Sequence, residues 1–357
     1  CSNLASIVIP DSVTSIGDYA FSYCTSLTSI TIPDSVTSID SYAFRDCTSL
    51  TSITIPESVT DIGDYAFTGT ETLESVKFAD GVKIGEGAFG YCTALATLTG
   101  AEKIAYVGDY GFAYSALASI DLSGAEFIGK LAFIKEEKAP FKVTLGEKLT
   151  DIGDNPFAMC ILEPFAKVNK VTFGDKVYDE ISLDYDLSEN VKVIGGSLYR
   201  VVPSGLELIT YAGTDSENAQ VADKTLRISS MAFAGSDVKM VTLPYTVASI
   251  GHKAFYKCDE LDMVVFKSYR APILEEEFEK AYYDSFEHIP GSGDYGTYTD
   301  YEGNEVRIEP MGLIPFFMWN VTDGMYSNIF YGANFVDYVG YVDDKLIMVR
   351  PSNGEYY

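Results

Sequence analysis

The sequence feature that most constrains the fold is an internal period of 23 residues at the start of the chain. Cysteine, leucine, isoleucine, proline, valine and phenylalanine all keep this step, and its phenylalanine position holds Phe21, Phe44 and Phe67. A fixed period of this length is typical of solenoids, in which each repeat forms one coil and packs only against its neighbours. The sequence therefore predicts a solenoid, while its binding partner has to be inferred separately.

Within one repeat, the residue pattern predicts a short strand, a turn and a tight bend. Residues 27–33 alternate apolar and polar side chains, which is strand spacing, and Pro33 should end the strand because it cannot donate to a sheet ladder. The Ala-Phe pair farther on predicts a 3₁₀ or helical turn that carries the phenylalanine inward. Gly17 and Gly63 are expected where a side chain would crowd the backbone.

The phenylalanine position can be followed through most of the chain, and we expect its rings to stack in one interior column. The column members are Phe21, Phe44, Phe67, Phe89, Phe112, Phe133, Phe157, Phe233 and Phe255. One coil has too few inward side chains to offset the entropy of ordering its backbone. Stacking between coils must therefore supply the missing stabilisation.

Five cysteines share one position of the repeat, and the sixth, Cys160, lies near it; the five are Cys1, Cys24, Cys47, Cys92 and Cys258. Other coils place Thr70, Ser115 or Ser236 at this position. A position that accepts Cys, Ser and Thr favours a small, weakly polar side chain, so we predict buried free thiols. The chain has no C-x-x-C pair and two histidines, which argues against zinc, and we expect no metal and no cofactor.

The charge balance narrows the class of partner. The chain has 52 acidic and 25 basic residues, for a net charge of −27. Such a field repels phosphate backbones and anionic membrane surfaces, so we expect no nucleic acid as partner. No apolar run reaches the ~20 residues that a membrane-spanning helix needs. Since Cys1 lies partway through a repeat, we interpret the chain as a segment of a longer protein.

One phrase of the sequence resembles a known family. Residues 9–27 read Ile-Pro-Asp-Ser-Val-Thr-Ser-Ile-Gly-Asp-Tyr-Ala-Phe-Ser-Tyr-Cys-Thr-Ser-Leu, and residues 32–50 and 55–73 nearly repeat them. This phrase resembles the BspA-like leucine-rich repeat, and the resemblance covers about 1–160 and 224–266. Residues 194–211 are similar to the family's longer variant, in which a hairpin is inserted, and Ser204-Gly205 is the expected hairpin tip.

The resemblance implies both a fold and a role. The implied fold is a mostly-β leucine-rich-repeat solenoid, a right-handed superhelix with short 3₁₀ or helical turns. The implied role is adhesion or partner binding by a bacterial protein that is extracellular or displayed on the cell surface. No catalytic residue is carried over, because the family motif contains none.

The composition changes after residue 268, which predicts a separate C-terminal segment. Residues 269–357 hold 12 of the 26 tyrosines and the single tryptophan, Trp319. Residues 275–286 predict a helix, and residues 306–321, 329–341 and 345–350 predict strands. The predicted organisation is repeat coils at 1–160, an irregular or long repeat with an inserted hairpin at 161–223, resumed coils at 224–268, and a small α+β cap at 269–357.

Two sets of tyrosines are candidate binding residues. Tyr19, Tyr42, Tyr65 and Tyr110 share one repeat position and should form a row of rings, while a second, broken row holds Tyr23, Tyr91, Tyr114 and Tyr256. Tyrosine offers amphipathic contact area at low entropic cost, which suits protein or glycan binding. The alternative is that these rings only shield the turns beneath them. The outward threonines and serines of the strands, by contrast, indicate a generic sheet surface.

Other candidate sites are weaker. Trp319 and its aromatic neighbours form either a platform for sugars or the core of a small domain. Six carboxylates match no calcium-binding loop, so we expect no more than an adventitious surface ion there. They are Asp184, Asp186, Glu189, Asp294, Asp300 and Glu302.

Three functions remain open on the sequence. The first is a non-catalytic surface protein that binds a protein partner as a monomer. The second is a glycan-binding module in the C-terminal segment. The third is an enzyme fragment, which is disfavoured because the chain has no G-x-S-x-G motif, no phosphate-binding glycine loop and no metal-ligand spacing. Paired carboxylates as in glycosidases stay possible, since acidic residues are abundant throughout.

Overall fold

The computed structural model describes residues 1–78, 81–173, 176–261, 263–266, 273–274, 297–299, 305–307, 338–342 and 345–349. The chain divides into two compact units. Unit 1 consists of residues 1–202 and 209–212, and unit 2 consists of residues 203–208 and 213–357. Both units are built from repeat coils, as the period predicts.

One face of unit 1 carries a parallel sheet to which every coil contributes two residues. This continuous sheet consists of the strands Ser15–Ile16, Ser38–Ile39, Asp61–Ile62, Lys83–Ile84, Tyr106–Val107, Phe127–Ile128 and Asp151–Ile152. Ile16 pairs with Ile39, and Ile39 pairs with Ile62, so the register advances by one repeat per coil. The second residue of each strand is buried and the first faces outward, which follows the two-residue period of a strand.

A second face of unit 1 carries strands that do not form one ladder, and we call it the interrupted sheet. Its two parallel three-stranded parts are Ser52–Thr54, Ser75–Lys77 and Thr97–Thr99, then Ser119–Leu122, Ala139–Leu145 and Cys160–Leu162. Ahead of them, an isolated bridge joins Val8 to Thr31. Ala101–Lys103 is a 3₁₀ helix, and it is the only helix within the described ranges.

The bend before each phenylalanine is a pair of tight turns, so the prediction of a 3₁₀ or helical turn there is wrong. In the first coil, the N–H of Ala20 donates to the carbonyl of Gly17 and the N–H of Ser22 donates to that of Tyr19, both at 3.1 Å. Tyr19 and Tyr23 have φ angles of 57° and 56°. A right-handed helix cannot run through left-handed residues, which is the physical reason for the difference.

The predicted stacking of phenylalanine rings is confirmed within each unit. In unit 1 the ring centroids of successive members lie 5.2, 5.0, 5.0, 5.2, 5.4 and 5.6 Å apart, from Phe21 to Phe157. In unit 2 the rings of Phe233 and Phe255 lie 5.0 Å apart. Every member except the half-buried Phe21 is shielded from solvent. Offset ring stacking adds to the burial of these large side chains in stabilising the coils.

The cysteine position is a hydrogen-bonding position as well as a packing one. All six cysteines are free, and the predicted burial is confirmed at Cys24, Cys47, Cys92 and Cys258 but wrong at Cys1, which is exposed because no described coil covers it. The thiols of Cys47, Cys92 and Cys258 and the hydroxyl of Thr70 donate to the phenylalanine carbonyl of the preceding coil: Cys47 to Phe21 at 3.1 Å, Thr70 to Phe44 at 2.9 Å, Cys92 to Phe67 at 3.2 Å and Cys258 to Phe233 at 3.0 Å. A hydroxyl or thiol can make this bond, which explains why Cys and Thr alternate here.

The glycine prediction is confirmed at Gly63 and wrong at Gly17. A Cβ at Gly63 would lie 2.6 Å from the backbone nitrogen of Ser41 and 2.7 Å from the carbonyl carbon of Asp40. A Cβ at Gly17 would meet nothing within 4 Å. The crowding comes from the coil before, and no described coil lies on that side of Gly17.

Residues 161–202 of unit 1 leave the coil pattern and form antiparallel pairs. Lys167–Phe173 pairs with Lys176–Ser182, and Val191–Ile194 lies between Tyr185–Asp186 and Ser197–Val202. The turn after the last of these strands is at residues 203–204, one residue earlier than the predicted hairpin tip. The inserted antiparallel strands agree with the longer repeat variant that the sequence suggests.

Unit 2 repeats the coil pattern and then continues into the C-terminal segment. Its strands are Ala219–Gln220, Thr225–Ile228, Met240–Leu243, Ser249–Ile250, Met263–Phe266, Ile273–Leu274, Thr297–Thr299, Glu305–Arg307, Tyr338–Val342 and Lys345–Val349. The strand Gly205–Thr210 is divided between the units, with residues 205–208 in unit 2 and residues 209–210 in unit 1. Lys345–Val349 pairs antiparallel with both Met263–Phe266 and Tyr338–Val342. The predicted helix at 275–286 lies outside the described residues.

Candidate functional site

The tyrosines of the first predicted row stack on one another along the edge of unit 1. The ring centroids of Tyr19 and Tyr42 lie 4.8 Å apart with planes at 2°, and those of Tyr42 and Tyr65 lie 5.2 Å apart at 13°. Tyr19 remains 56 % exposed, while Tyr42 and Tyr65 are half-buried. The three rings therefore form one continuous, partly exposed aromatic strip.

The backbone of this strip is strained, which the sequence does not signal. Tyr19, Tyr42, Tyr65 and Tyr110 have φ angles between 55° and 58°, a left-handed region that bulky residues rarely occupy. Such a conformation costs about 1–3 kcal/mol per residue. Gly87 occupies the same position in the fourth coil with φ 54°, so a coil can form there without a ring.

A cation lies against the strip. The guanidinium carbon of Arg45 lies 5.7 Å from the centroid of the Tyr42 ring and 5.4 Å from that of Tyr23, which belongs to the second predicted row. Its Nε donates to a carboxylate oxygen of Asp46 at 3.0 Å. These contacts fix the arginine between two rings. We call the group of Tyr19, Tyr23, Tyr42, Arg45 and Tyr65 the tyrosine surface.

One tyrosine of this surface is tied to the following coil. The hydroxyl of Tyr65 donates to Oε1 of Glu86. That hydrogen bond to a carboxylate raises the pKa of Tyr65 to about 12, so its phenol stays protonated at neutral pH. Glu86 in turn donates its backbone N–H to Oδ1 of Asp64 at 2.8 Å, which orders this end of the strip.

The remaining predicted tyrosines divide into smaller groups. Tyr91 and Tyr114 of the second row stack at 4.7 Å between ring centroids, and Tyr91 is 57 % exposed. Tyr110 follows Gly87 in the first row, so the strip is interrupted before it. In unit 2, the amino groups of Lys253 and Lys257 lie 5.5 and 5.8 Å from the ring of Tyr256.

The other sequence-predicted sites are only partly covered by the described residues. Trp319 and its aromatic neighbours lie outside them, as do Asp294, Asp300 and Glu302. The carboxylate of Asp184 accepts from the N–H of Gly195 at 2.7 Å, and that of Asp186 accepts from Nζ of Lys192 at 2.6 Å. Where the chain is described, no group of three or more His, Cys, Asp or Glu side chains could hold a metal ion.

The continuous sheet carries an aromatic pair that the sequence analysis missed. The rings of Tyr106 and Phe127 stack with centroids 4.5 Å apart and planes at 16°, and Tyr106 is exposed. Both occupy the outward position that holds Ser15 in the first coil. Aligning the residue before each buried isoleucine or valine would have found this pair.

A cleft in the interrupted sheet was also missed. A cavity of about 930 Å³ lies beside the strand Ser52–Thr54. It is lined by Ser29, Ile30, Thr31, Ile32, Asp34, Ser52, Ile53, Thr54, Ile55, Pro56, Glu57, Ser58, Lys77, Phe78 and Lys103. The outward threonines and serines that the sequence indicates as a generic surface therefore line a concave one. Nothing in the sequence marks this place, because the coils on its two sides are nearly identical.

One buried cation has a structural explanation. Nζ of Lys135 donates to the carbonyls of Ser115 and Leu117, both at 2.7 Å, and lies 5.2 Å from the ring of Phe141. Burial lowers the pKa of this lysine. The side chain closes an irregular coil by capping two carbonyl groups, so it adds no candidate site.

The repeats of this chain match a known protein family. A family model described as a BspA type leucine rich repeat region matches in six copies, over residues 1–117, 80–183 and 207–291. The match extends past the range that the motif alone covers. Among curated proteins, none matches the chain.

Three solved structures are similar. A leucine rich cell surface protein from Faecalibacterium prausnitzii has 25% identity and a TM-score of 0.50, over 73% of this chain and 69% of that one. A leucine-rich repeat protein from Bacteroides ovatus has 20% identity and a TM-score of 0.46, over 77% and 75%. Another from Eubacterium ventriosum has 20% identity and a TM-score of 0.46, over 62% and 55%.

Proposed function

This chain belongs to the family of BspA-type leucine-rich repeat proteins, and we propose on that premise that it binds a protein partner through its repeat surface without catalysing a reaction. The proposal places the protein at the bacterial cell surface or outside the cell. The similar protein from Faecalibacterium prausnitzii is described as a cell surface protein, which supports this location. In the described part of the chain, no helix is long and apolar enough to cross a membrane.

The observation that carries the proposal is the tyrosine surface. Tyrosine and arginine dominate the binding energy of many protein interfaces, since they combine large contact area with polar groups. Here three stacked rings hold one another rigid, and Arg45 is fixed between Tyr23 and Tyr42. A surface that is ordered before binding loses little entropy when a partner docks.

The alternative is that the rings only shield the turns beneath them. The fourth coil argues against this, because Gly87 takes the ring position there and Phe89 beneath it is still fully buried. Glycine also adopts the left-handed conformation without strain. The left-handed bend itself belongs to the coil, since Leu131, Met231 and Lys253 adopt it at the same position. What the tyrosines add is exposed ring area, and a binding role accounts for that area.

Binding to arrays of extracellular proteins and of glycans tests the proposal on the full chain. We expect hits on the protein array, and we expect the double variant Tyr42→Ser/Tyr65→Ser to lower their affinity at least tenfold. The control is Tyr106→Ser, which removes an exposed ring on the continuous sheet and should leave those hits unchanged. Hits on the glycan array alone, or equal loss with both variants, would contradict a protein partner at the tyrosine surface.

A further inference from the structure

The interrupted sheet has an open seam between its second and third coils. On the far side of the seam, Ser52–Thr54 pairs with Ser75–Lys77, and Ile53 is the register partner of Val76. On the near side, Thr31 is bridged to Val8 of the first coil. Within the stretch 1–78, which is described throughout, no backbone hydrogen bond joins residues 28–32 to residues 51–55.

The seam leaves specific backbone groups without a strand partner. In a parallel ladder the N–H and C=O of one residue point to the same neighbour, and those of the next residue point to the opposite one. The N–H of Ile55 donates to the carbonyl of Lys77 at 2.9 Å, so the backbone N–H and C=O groups of Ile53 and Ile55 point toward the fourth coil. Ser52 and Thr54 therefore turn their N–H and C=O groups toward the seam. By the same alternation, the backbone N–H and C=O groups of Ile30 and Ile32 point toward the seam from the other side.

The cleft of about 930 Å³ lies along this seam. Its volume is at the upper end of the range of ligand pockets. Its walls combine buried isoleucines such as Ile32 and Ile55 with exposed Thr31 and Thr54.

We propose that an extended segment of a protein partner adds as a strand to the edge of Ser52–Thr54 and occupies the cleft. Backbone groups of the segment complete the ladder, and its alternate side chains contact the isoleucines of the cleft, which is recognition by β-strand addition. An exposed strand edge is a template for such pairing. This site is separate from the tyrosine surface and goes beyond the function proposed for it.

A peptide with the sequence of residues 28–33, Thr-Ser-Ile-Thr-Ile-Pro, is the probe, because the same six residues recur at 51–56 and carry the complementary alternation. We expect the fluorescein-labelled peptide to bind the full chain under reducing conditions. A copy that is N-methylated at both isoleucine nitrogens loses the donors that face the edge. Its Kd should rise at least tenfold, whereas equal affinity of the two peptides overturns the proposal.

Two proline variants distinguish the two edges of Ser52–Thr54, namely the edge at the seam and the edge that pairs with Ser75–Lys77. Thr54→Pro removes an N–H that faces the seam, and proline is tolerated at a strand edge. We expect a rise of at least tenfold in the peptide Kd with little change in melting temperature. Lys77→Pro is the control, because its N–H lies in the ladder with Ser52–Thr54, and it should lower the melting temperature. Unchanged peptide affinity of Thr54→Pro contradicts strand addition at this edge.

Hydrogen exchange locates the peptide independently of any variant. We expect the bound peptide to slow exchange of the Ser52 and Thr54 amides at least tenfold and to leave that of Val76 unchanged. The double variant Tyr42→Ser/Tyr65→Ser should bind the peptide normally, so this test and that of the tyrosine surface fail separately. If the free chain is a dimer whose contact already protects the Thr54 amide, a second copy fills the cleft and the proposal is wrong.

Discussion

The continuous and interrupted sheets are two faces of the same coils, yet only one of them is unbroken. The continuous sheet has two residues per strand and still pairs across every coil of unit 1. The interrupted sheet has longer strands and opens between residues 28–32 and 51–55, where the sequence repeats almost without change. Strand length and strand composition therefore do not decide which face stays closed.

The two sheets differ in how closely the backbones of successive coils approach each other beside the strands. Next to the continuous sheet, the position of Gly63 brings backbone within 2.6 Å of where a Cβ would lie, so successive coils are in close contact. The same close approach recurs at Gly85, Gly108, Gly129 and Gly153. On the interrupted sheet, the inward side chains beside the seam, such as Ile30 and Ile53, belong to the same core, but no glycine on this face brings the backbones of those two coils together. At Gly100 and Gly146, beside paired strands of this face, a Cβ would again lie 2.6 and 2.0 Å from a carbonyl oxygen of the preceding coil. The paired parts of both faces therefore share a close backbone contact that no glycine supplies at the seam.

The largest expected effect comes from removing a ring of the phenylalanine column, which belongs to the coils that form both sheets. Phe67→Ala removes a fully buried ring that stacks on Phe44 and Phe89. Large-to-small changes of this kind lower the free energy of unfolding by about 3–5 kcal/mol. Urea denaturation measures the change. Phe21→Ala, in a half-buried ring, should cost less, and an equal loss in both variants would show that burial in the column does not set the stability.

A smaller effect is expected from loosening the continuous sheet alone. Gly63→Ala places a Cβ against the backbone of Asp40 and Ser41, and overpacking of this kind lowers the free energy of unfolding by about 1–3 kcal/mol. Gly17→Ala is the matched control, because its Cβ meets nothing within 4 Å. It should raise the free energy of unfolding by about 0.4–1 kcal/mol, since alanine restricts the unfolded chain. Thermal denaturation that moves both variants in the same direction would refute the account of close contact.

A third variant tests the hydrogen bonds that link coils at the cysteine position. Thr70→Val keeps the shape of a buried side chain and removes the donor to the carbonyl of Phe44. We expect a loss of about 1–3 kcal/mol, toward the lower end, because the acceptor stays buried without this partner. Thr70→Cys restores a donor and should recover most of the loss in urea denaturation. If the valine and cysteine variants are equally stable, packing alone accounts for this position.

The smallest change requires no substitution and examines the seam directly. The amides of Thr54 and Lys77 occupy equivalent positions in successive coils, but only the second faces a paired strand. Hydrogen exchange of the free chain should be at least tenfold faster at Thr54, since exposed edge amides exchange without local unfolding. Equal protection of the two amides would mean that the interrupted sheet is closed in solution.

The sequence predicts those features that one coil imposes on the next through buried side chains. The column from Phe21 to Phe157 and the free cysteines both follow from period and polarity. The left-handed tyrosines do not, because tyrosine has no preference for that conformation and glycine is the residue that would announce it. The seam cannot be seen in the sequence either, because residues 28–33 and 51–56, which lie on its two sides, are identical.

For the candidate site, the sequence predicts which tyrosines share a position but not how they are held. The stacking of Tyr19, Tyr42 and Tyr65 follows from the repeat, whereas the place of Arg45 between two rings depends on a left-handed bend that the pattern does not contain. Their role in binding stays a prediction. The predicted α+β cap and Trp319 fall largely outside the described residues.

The cysteine position has a consequence for chemical durability. The buried thiols of Cys47 and Cys92 each donate to a carbonyl of the neighbouring coil, and burial raises the pKa of Cys47 to about 12 and that of Cys92 further. Oxidants and alkylating agents attack the thiolate, which such groups scarcely form at neutral pH. The coils can therefore keep these buried thiols reduced in an oxidising medium without forming crosslinks.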